Sequence, residues 1–415
     1  MRMTKLVSLV LALLMLAVCF VACGGGNKGP EKMTITLWVS TTGGVKEFYE
    51  QQVADFKKLH PEYDFDIKVE AVSEGDAATQ VLADVATAPD MYCFAQDQIA
   101  RLVQGGALAP LGQAAAETVR KNNDAGSVGA AIVGSGIYAY PLSSDNGYFL
   151  YYDSRYITDE QAKTWEGIIE ACRAAGKKIG YNTSEGWKGS GFYFAQPVDG
   201  GDALCSSTWT YSEDGKSPIA IADTFNSENG LIAMKGLQML ETSGVWMDTE
   251  AFPGTAAVVT GTWKANEAEG EYGDYMKATK LPTYTVDGKT YQMGSFSGCK
   301  LLGCKPQTDE AKAKLCADLA LYLTGRDAQL ERYYEFQHGP SNLEAQANQD
   351  VQENVLLAAL LAQNVYAVPQ GVIPDLWWAE VATLNALCVE PDKTVEDFRA
   401  ALATYEQNVN AMIVK

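Results

Sequence analysis

Histidine is almost missing from this chain: of 415 residues, only His60 and His338 carry an imidazole. Two histidines so far apart cannot supply an H-E-x-x-H zinc helix. No G-x-S-x-G elbow is present, and 294–298 (GSFSG) has phenylalanine where the nucleophile would stand. No two cysteines have C-x-x-C spacing, which removes the common zinc and dithiol motifs. Basic residues are scarce too, 32 against 52 acidic ones, for a formal charge of −20. A body that acidic is repelled by phosphate backbones, so nucleic acid is not an expected partner. The same charge also serves solubility. Chance pairs of carboxylates abound among so many acids, and none is singled out as a glycosidase pair.

One stretch lacks charge altogether. Arg2 and Lys5 precede residues 6–22 (LVSLVLALLMLAVCFVA), which are followed by Cys23 and GGGNKGP. A basic head, an apolar run and a small residue before a cleavage point make a secretory signal. Ala22-Cys23-Gly24 resembles the bacterial lipobox, in which the cysteine is lipidated and becomes the new N-terminus. Phe20 stands where that motif usually has leucine, and bulky Val18 makes Cys19 a poorer choice. The expectation is a signal peptide over 1–22 and a flexible tether over 23–30. The body would then sit on the extracytoplasmic face of the cell membrane, held by acyl chains. Retained, the apolar run would instead be a short membrane anchor with the same topology.

What remains is long enough for two domains with their own cores. Of nine cysteines, Cys19 and Cys23 belong to the leader. The other seven cannot all pair within the chain. Cys172 and Cys316 fall on the apolar sides of helical patterns and read as small buried hydrophobes. Cys299 and Cys304 are near enough in sequence for a bridge, which spacing alone does not decide.

Period-2 and period-3.6 patterns alternate at the start of the body. Residues 34–39 read as a strand. A helix from Val45 has apolar Phe48, Tyr49, Val53, Phe56 and Leu59 and stops at Pro61. A strand alternates Tyr63, Phe65, Ile67 and Val69 with charges. A helix over 77–86 and a strand over 91–95 follow. This β-α-β-α-β order predicts a parallel sheet whose ligands sit beyond the strand carboxyl ends, near Thr41, Thr42 and 94–98. Residues 134–139 (GSGIYA) match a loose G-x-G-x-x-A, but Tyr140-Pro141 predicts extended chain rather than the helix a dinucleotide needs. No cofactor or metal is expected. Further on, 164–175 and 309–323 read as helices, 182–230 as loops and short elements, and 289–305 as extended. The end from Glu344 reads as helical, broken near 371–374.

Several blocks, in order, carry a resemblance. They are ITLWVS…FYEQQVADFKKLHPEYDFDIKVE, APDMYCFAQDQIARLVQGGALAPL, GIYAYPLSSDNGYFLYYDSRYI, KTWEGI, GTAAVVTGTW and LWWAEVATLNAL. Together they resemble the bacterial extracellular solute-binding proteins of family 1, the maltodextrin-receptor type that serves ABC sugar importers. The resemblance implies an α/β, two-lobed periplasmic-binding-protein-like fold of type II, with the ligand in a cleft between lobes. It implies no catalysis, an ABC permease as partner, a carbohydrate ligand and a monomer. Lobe 1 is expected over 31–144 and 297–340, and lobe 2 over 145–296 and 341–415. Hinge crossings are expected near 143–147, 294–297 and 339–342, where glycine and serine suit a changing backbone.

Carried over block by block, the ligand contacts fall on Thr41 and Thr42, where the family's charged pair is absent. Phe94, Asp97 and Gln98 follow on the third-strand turn, with Phe94 where tryptophan is common. Asp145 follows the Tyr-Pro strand, and Asp76 is a looser acidic match. Aromatic platforms fall on Trp263, on Trp377 or Trp378, and on Tyr193 or Trp187. Such a set suits a sugar: flat rings cover its C–H faces and carboxylates accept from its hydroxyls. Each aromatic also reads as core, and each aspartate as a turn or helix cap. Two other functions fit the same residues. A polyamine would use Asp76, Asp97 and Asp145 as counter-charges, and a secreted glycosidase would use an acidic pair.

Overall fold

Alternation at the start of the body becomes a sheet edge. In the computed structural model, which describes residues 32–413 except 214–216 and Asp375, strands Met33–Val39, Phe65–Ala71 and Met91–Ala95 pair in parallel. The signal peptide, the tether and the lipidated Cys23 expected above lie outside the described residues. Lys300–Cys304 adds antiparallel to Met91–Ala95, and Ala139–Ser143 closes the five-stranded sheet. Strand-to-strand returns run through helices Val45–Leu59 and Ala77–Ala83. Val45, Tyr49, Val53 and Phe56 point inward at helical spacing and bury against Ile35, Leu37 and Val39.

A second five-stranded sheet is built the same way from later residues. Its order is Trp246–Met247, Lys178–Tyr181, Thr255–Thr260, Phe149–Asp153 and Met276–Thr279. Helix Trp165–Ala175 covers it. Thr164 caps the helix by accepting from the Gly167 amide at 3.0 Å, and Gly176 ends it at φ 64°, where an L side chain would be strained. Trp165, Ile168, Ile169 and Cys172 face a large core of their own. The two sheets therefore centre separate hydrophobic cores, as the alternating patterns imply for two-layer units.

The chain crosses between the sheets at 144–148 and again at 298–299, and the C-terminal region passes through 337–342. These segments run side by side. The Ser144 amide donates to the Gly339 carbonyl at 3.0 Å, the Asn146 amide to the Gly298 carbonyl at 3.1 Å, and the Gly339 amide to Asp145 Oδ2 at 2.7 Å. Glycine permits that approach: a Cβ on Gly339 would sit 2.8 Å from the Cβ of Asp145. Residues 134–135 turn a short hairpin between Ile132–Val133 and Gly136–Ile137, and a strand follows over Ala139–Ser143, so no dinucleotide helix opens there. Residues 182–230 do hold short elements, among them Gly186–Gly189, Ser207–Tyr211 and Pro218–Asp223. The C-terminal half is helical over Val355–Asn364, Trp377–Cys388 and Val395–Asn410, broken by a strand at Ala367–Pro369. All seven described cysteines are free thiols. Cys299 and Cys304 flank one strand; Cys299 Sγ faces Ser144 Oγ and Cys304 Sγ the Cys316 carbonyl.

Candidate functional site

The strand carboxyl ends of both sheets open into one cleft. Its cavity is about 720 Å³. On the first-sheet side it is lined by Thr41 and Thr42, by the 73–76 turn, and by Asp97. On the second-sheet side Trp187 and Lys188 follow the strand Lys178–Tyr181, and Thr262 and Trp263 follow Thr255–Thr260. Asp145, Asn146 and His338 form the floor where the crossings meet, and Trp378 reaches in from helix Trp377–Cys388.

The structure gathers eight of the expected residues at this cleft with side chains open to it or bonded across it: Thr41, Thr42, Asp76, Asp97, Asp145, Trp187, Trp263 and Trp378. Asp76 is exposed at the rim, at the start of helix Ala77–Ala83, and makes no capping bond. Asp97 joins the two halves. It accepts from Trp378 Nε1 at 2.9 Å and from Gln370 Nε2. Burial pushes its carboxyl above the ordinary aspartate value, and the bonds from Trp378 and Gln370 partly offset that. Asp145 accepts from Thr262 Oγ1 as well as from the Gly339 amide, so it ties the crossings to the second sheet.

Three expected residues are corrected, and a fourth, Gln98, has its amide engaged in the fold. Phe94 is fully buried in the first core, because its strand is covered on both faces. Tyr193 is fully buried and stacks on Phe225 at 4.7 Å. Trp377 is fully buried, with its indole N–H donating to Tyr405 at 2.5 Å. Gln98 borders the cleft, but its amide is occupied in folding the 73–76 turn. It donates to the Glu74 and Gly75 carbonyls at 2.8 and 2.7 Å and accepts from the Ala78 amide at 2.8 Å.

Charged residues that no motif marked complete the lining. Lys188 is 3% exposed and bridges Glu185 and Glu250 at 2.5 Å each. Burial works against its charge, but the two carboxylates outweigh it and raise the ammonium pKa. Burial likewise opposes the Glu250 carboxylate, and Lys188, Thr260 and Trp263 hold it below its usual value. Trp187 packs against Tyr148 and Trp263, with ring centroids 4.8 and 6.2 Å away, and its buried Nε1 has no partner. Arg332, Lys300 and Glu74 stand on the first-sheet side. The only signals for Lys188, Glu250, Arg332, Lys300 and Glu74 are three-dimensional, since each comes from a different segment of the chain.

Among the described residues, no group of three or more His, Cys, Asp or Glu gathers as a metal site, and no helix is long and apolar enough to cross a membrane.

Known structures share this architecture. The maltodextrin binding protein MalE1 from L. casei BL23, solved without ligand, superposes with TM-score 0.71 and 22% identity, covering 91% of this chain and 98% of that one. The GacH receptor of Streptomyces glaucescens GLA.O, solved unliganded and with acarbose, gives 0.73 and 16% identity over 92% of this chain and 99% of that one. A Thermus thermophilus maltotriose binding protein bound with maltotriose gives 0.72 and 16% identity, covering 90% and 100%. At these identities the likeness establishes the fold, a two-lobed α/β architecture of type II. No curated protein sequence matches the chain. The family model described as bacterial extracellular solute-binding protein matches residues 51–359. With most of its length inside that match and two α/β lobes around one lined cleft, the chain belongs to the bacterial extracellular solute-binding proteins.

Proposed function

We propose that this protein is a lipid-anchored receptor that captures a carbohydrate in its cleft and delivers it to an ABC importer, without chemical change. One observation carries the reading: three tryptophans, Trp187, Trp263 and Trp378, and two bonded carboxylates, Asp97 and Asp145, line a single cavity. Flat rings beside oriented acceptors are the complement of a pyranose, which has apolar faces and a belt of hydroxyls. The structures with acarbose and maltotriose support it, as proteins of the same fold that hold sugars. A polyamine is disfavoured by Arg332, a buried cation in the same lining whose described bonds go to neutral acceptors.

In this reading lobe 1 is 31–144 with 297–340 and lobe 2 is 145–296 with 341–415. Ligand bridging Asp97 or Thr41 to Trp263 draws the lobes together, because only the closed form satisfies both sides. Cys23 carries the acyl anchor after removal of 1–22. A thermal-shift screen against mono- and oligosaccharides tests capture. A sugar at about 100 times its dissociation constant adds roughly 2.7 kcal/mol of stability. No shift with any sugar, or hydrolysis abolished by Asp145→Asn, overturns the receptor reading. Cys23→Ser tests the anchor: the protein leaves the membrane fraction or stalls in processing, with sugar affinity unchanged.

A further inference from the structure

Of the cleft's basic groups, Lys188 and Lys264 are held in close ion pairs, and Arg332 is not. Arg332 lies on helix Arg326–Phe336 and is 3% exposed, yet it lines the cavity. Its guanidinium donates to Tyr49 Oη at 2.9 Å and to the Leu142 carbonyl, both neutral acceptors. Among the described residues no carboxylate comes within ion-pairing distance of it. A guanidinium has five N–H donors in a fork that fits a carboxylate, and a buried charge without a counter-ion is costly. Lys188, equally buried, shows the contrast, since two carboxylates touch it.

The neighbours of Arg332 do not supply its counter-ion. Lys300 lines the same side, and its one ion pair among the described residues, to Glu74, is long at 3.8 Å. His338 on the floor has a buried Nε2 without a partner. Asp145, the other acid beside His338, has Oδ2 engaged by Thr262 and the Gly339 amide. The local arrangement is two cations, Glu74 shared loosely with Lys300, Asp145 and Asp97 held by neutral donors, and one unfilled imidazole nitrogen.

We infer that this end of the cleft receives an anionic group, and that the carbohydrate is an acidic one whose ring carboxylate pairs with Arg332 and Lys300. The inference rests on the carbohydrate-receptor reading. The tryptophans of the opposite wall take the ring faces, and the fork of Arg332 takes the carboxylate in the bidentate manner guanidinium groups favour. His338 Nε2 donates or accepts beside it. An acidic sugar is thus distinguished from its neutral counterpart by groups left unpaired when the neutral one binds.

Calorimetric titration with matched probes tests this: cellobiouronic acid against cellobiose, and α-1,4-trigalacturonate against α-1,4-galactotriose. The expected result is at least tenfold tighter binding of an acidic probe than of its neutral partner, with affinity falling as salt rises from 50 to 500 mM. In Lys300→Gln and Arg332→Gln the acidic-to-neutral ratio collapses toward one. Lys300 is partly exposed on a strand end, so Lys300→Gln provides the readout even if Arg332→Gln fails to fold. Neutral probes binding as tightly as acidic ones, or a ratio untouched by Lys300→Gln in the folded variant, overturns the inference and leaves the receptor reading standing. Binding of no sugar of either kind overturns both.

Discussion

The two walls of the cleft divide the work of recognition. The first-sheet wall offers hydroxyls, carboxylates and cations: Thr41, Thr42, Asp97, Lys300 and Arg332. The second-sheet wall offers Trp187 and Trp263, with Lys188 neutralised behind them by Glu185 and Glu250. Flat rings on one side and polar groups on the other mean that neither wall alone satisfies a sugar. That is the condition under which binding is coupled to closing. The comparison extends inward. On the first-sheet side the buried carboxylate Asp90 is partnered by the Thr36 amide, Gln307 and Lys312, whereas on the second-sheet side the buried Glu241 has one oxygen without a partner, as does the buried Tyr193 hydroxyl.

The sharpest way to break this division is at the neighbours Trp377 and Trp378. Successive helical residues point about 100° apart, so one indole enters the core and the other the cleft. Trp377 stacks with Phe194 and meets Phe225 edge-on, and no part of it is exposed. Trp377→Ala is expected to lower stability by about 3–5 kcal/mol. Trp378→Ala is expected to cost far less stability and to reduce ligand affinity. Urea melts of the two variants check it, and equal stability losses would remove Trp378 from the site.

The second test concerns the polar defect in the second core. Glu241 is 7% exposed; Thr183 Oγ1 donates to its Oε1, and its Oε2 has no partner. Burial lifts its carboxyl pKa from 4.5 to about 8. Between those values the unfolded chain is ionised and the folded chain holds the proton. The folded state therefore binds more protons, and stability falls as pH rises through the window, flattening above it. Between pH 6 and 8 this group alone removes roughly 2–3 kcal/mol at about 1.4 kcal/mol per unit. Glu241→Gln keeps the Thr183 bond and does not titrate, so its stability should change much less over that range. Parallel pH slopes for the two proteins would show that Glu241 ionises normally.

A third test weighs the aromatic wall. Trp263 is half-buried, packs on the second core and borders the cavity. Trp263→Ala is expected to weaken binding by roughly 1–3 kcal/mol, as at other aromatic anchors. Unchanged affinity with a large stability loss would assign it to the core.

The fold was readable where one period ran long enough. The alternation through Phe65, Ile67 and Val69 and the helical spacing of Tyr49, Val53 and Phe56 needed nothing from the rest of the chain. The cleft was readable only in part. Thr41, Asp97, Asp145 and Trp263 follow strand ends, a place that topology alone marks as exposed to ligand. Phe94, Tyr193 and Trp377 misled because an aromatic next to a turn looks alike whether it faces core or cleft. Position along the chain says nothing about the angle. Lys188, Glu250, Arg332 and His338 were unreadable for a different reason. Charged residues are 20% of the chain, and these become distinctive only when folding removes them from water and sets them beside one another.

The smallest expected effect lies on the polar wall and tests whether that wall touches ligand at all. Thr41 is exposed, follows the strand Met33–Val39, and sits beside Thr42, whose hydroxyl accepts from Ser40 Oγ at 3.1 Å. Thr42 is thus held in place, while Thr41 has its hydroxyl open to the cavity. Loss of one neutral hydrogen bond to a ligand hydroxyl changes binding by about 0.5–1.5 kcal/mol, a factor of roughly two to ten. Thr41→Ala should show that change in affinity with stability within about 0.5 kcal/mol of the parent, since exposed substitutions away from caps and cores rarely do more. Thr41→Ser keeps the hydroxyl and should restore most of the affinity. If Thr41→Ala binds as the parent does while Trp263→Ala does not, recognition belongs to the tryptophan wall. The 41–42 loop would then only frame the entrance.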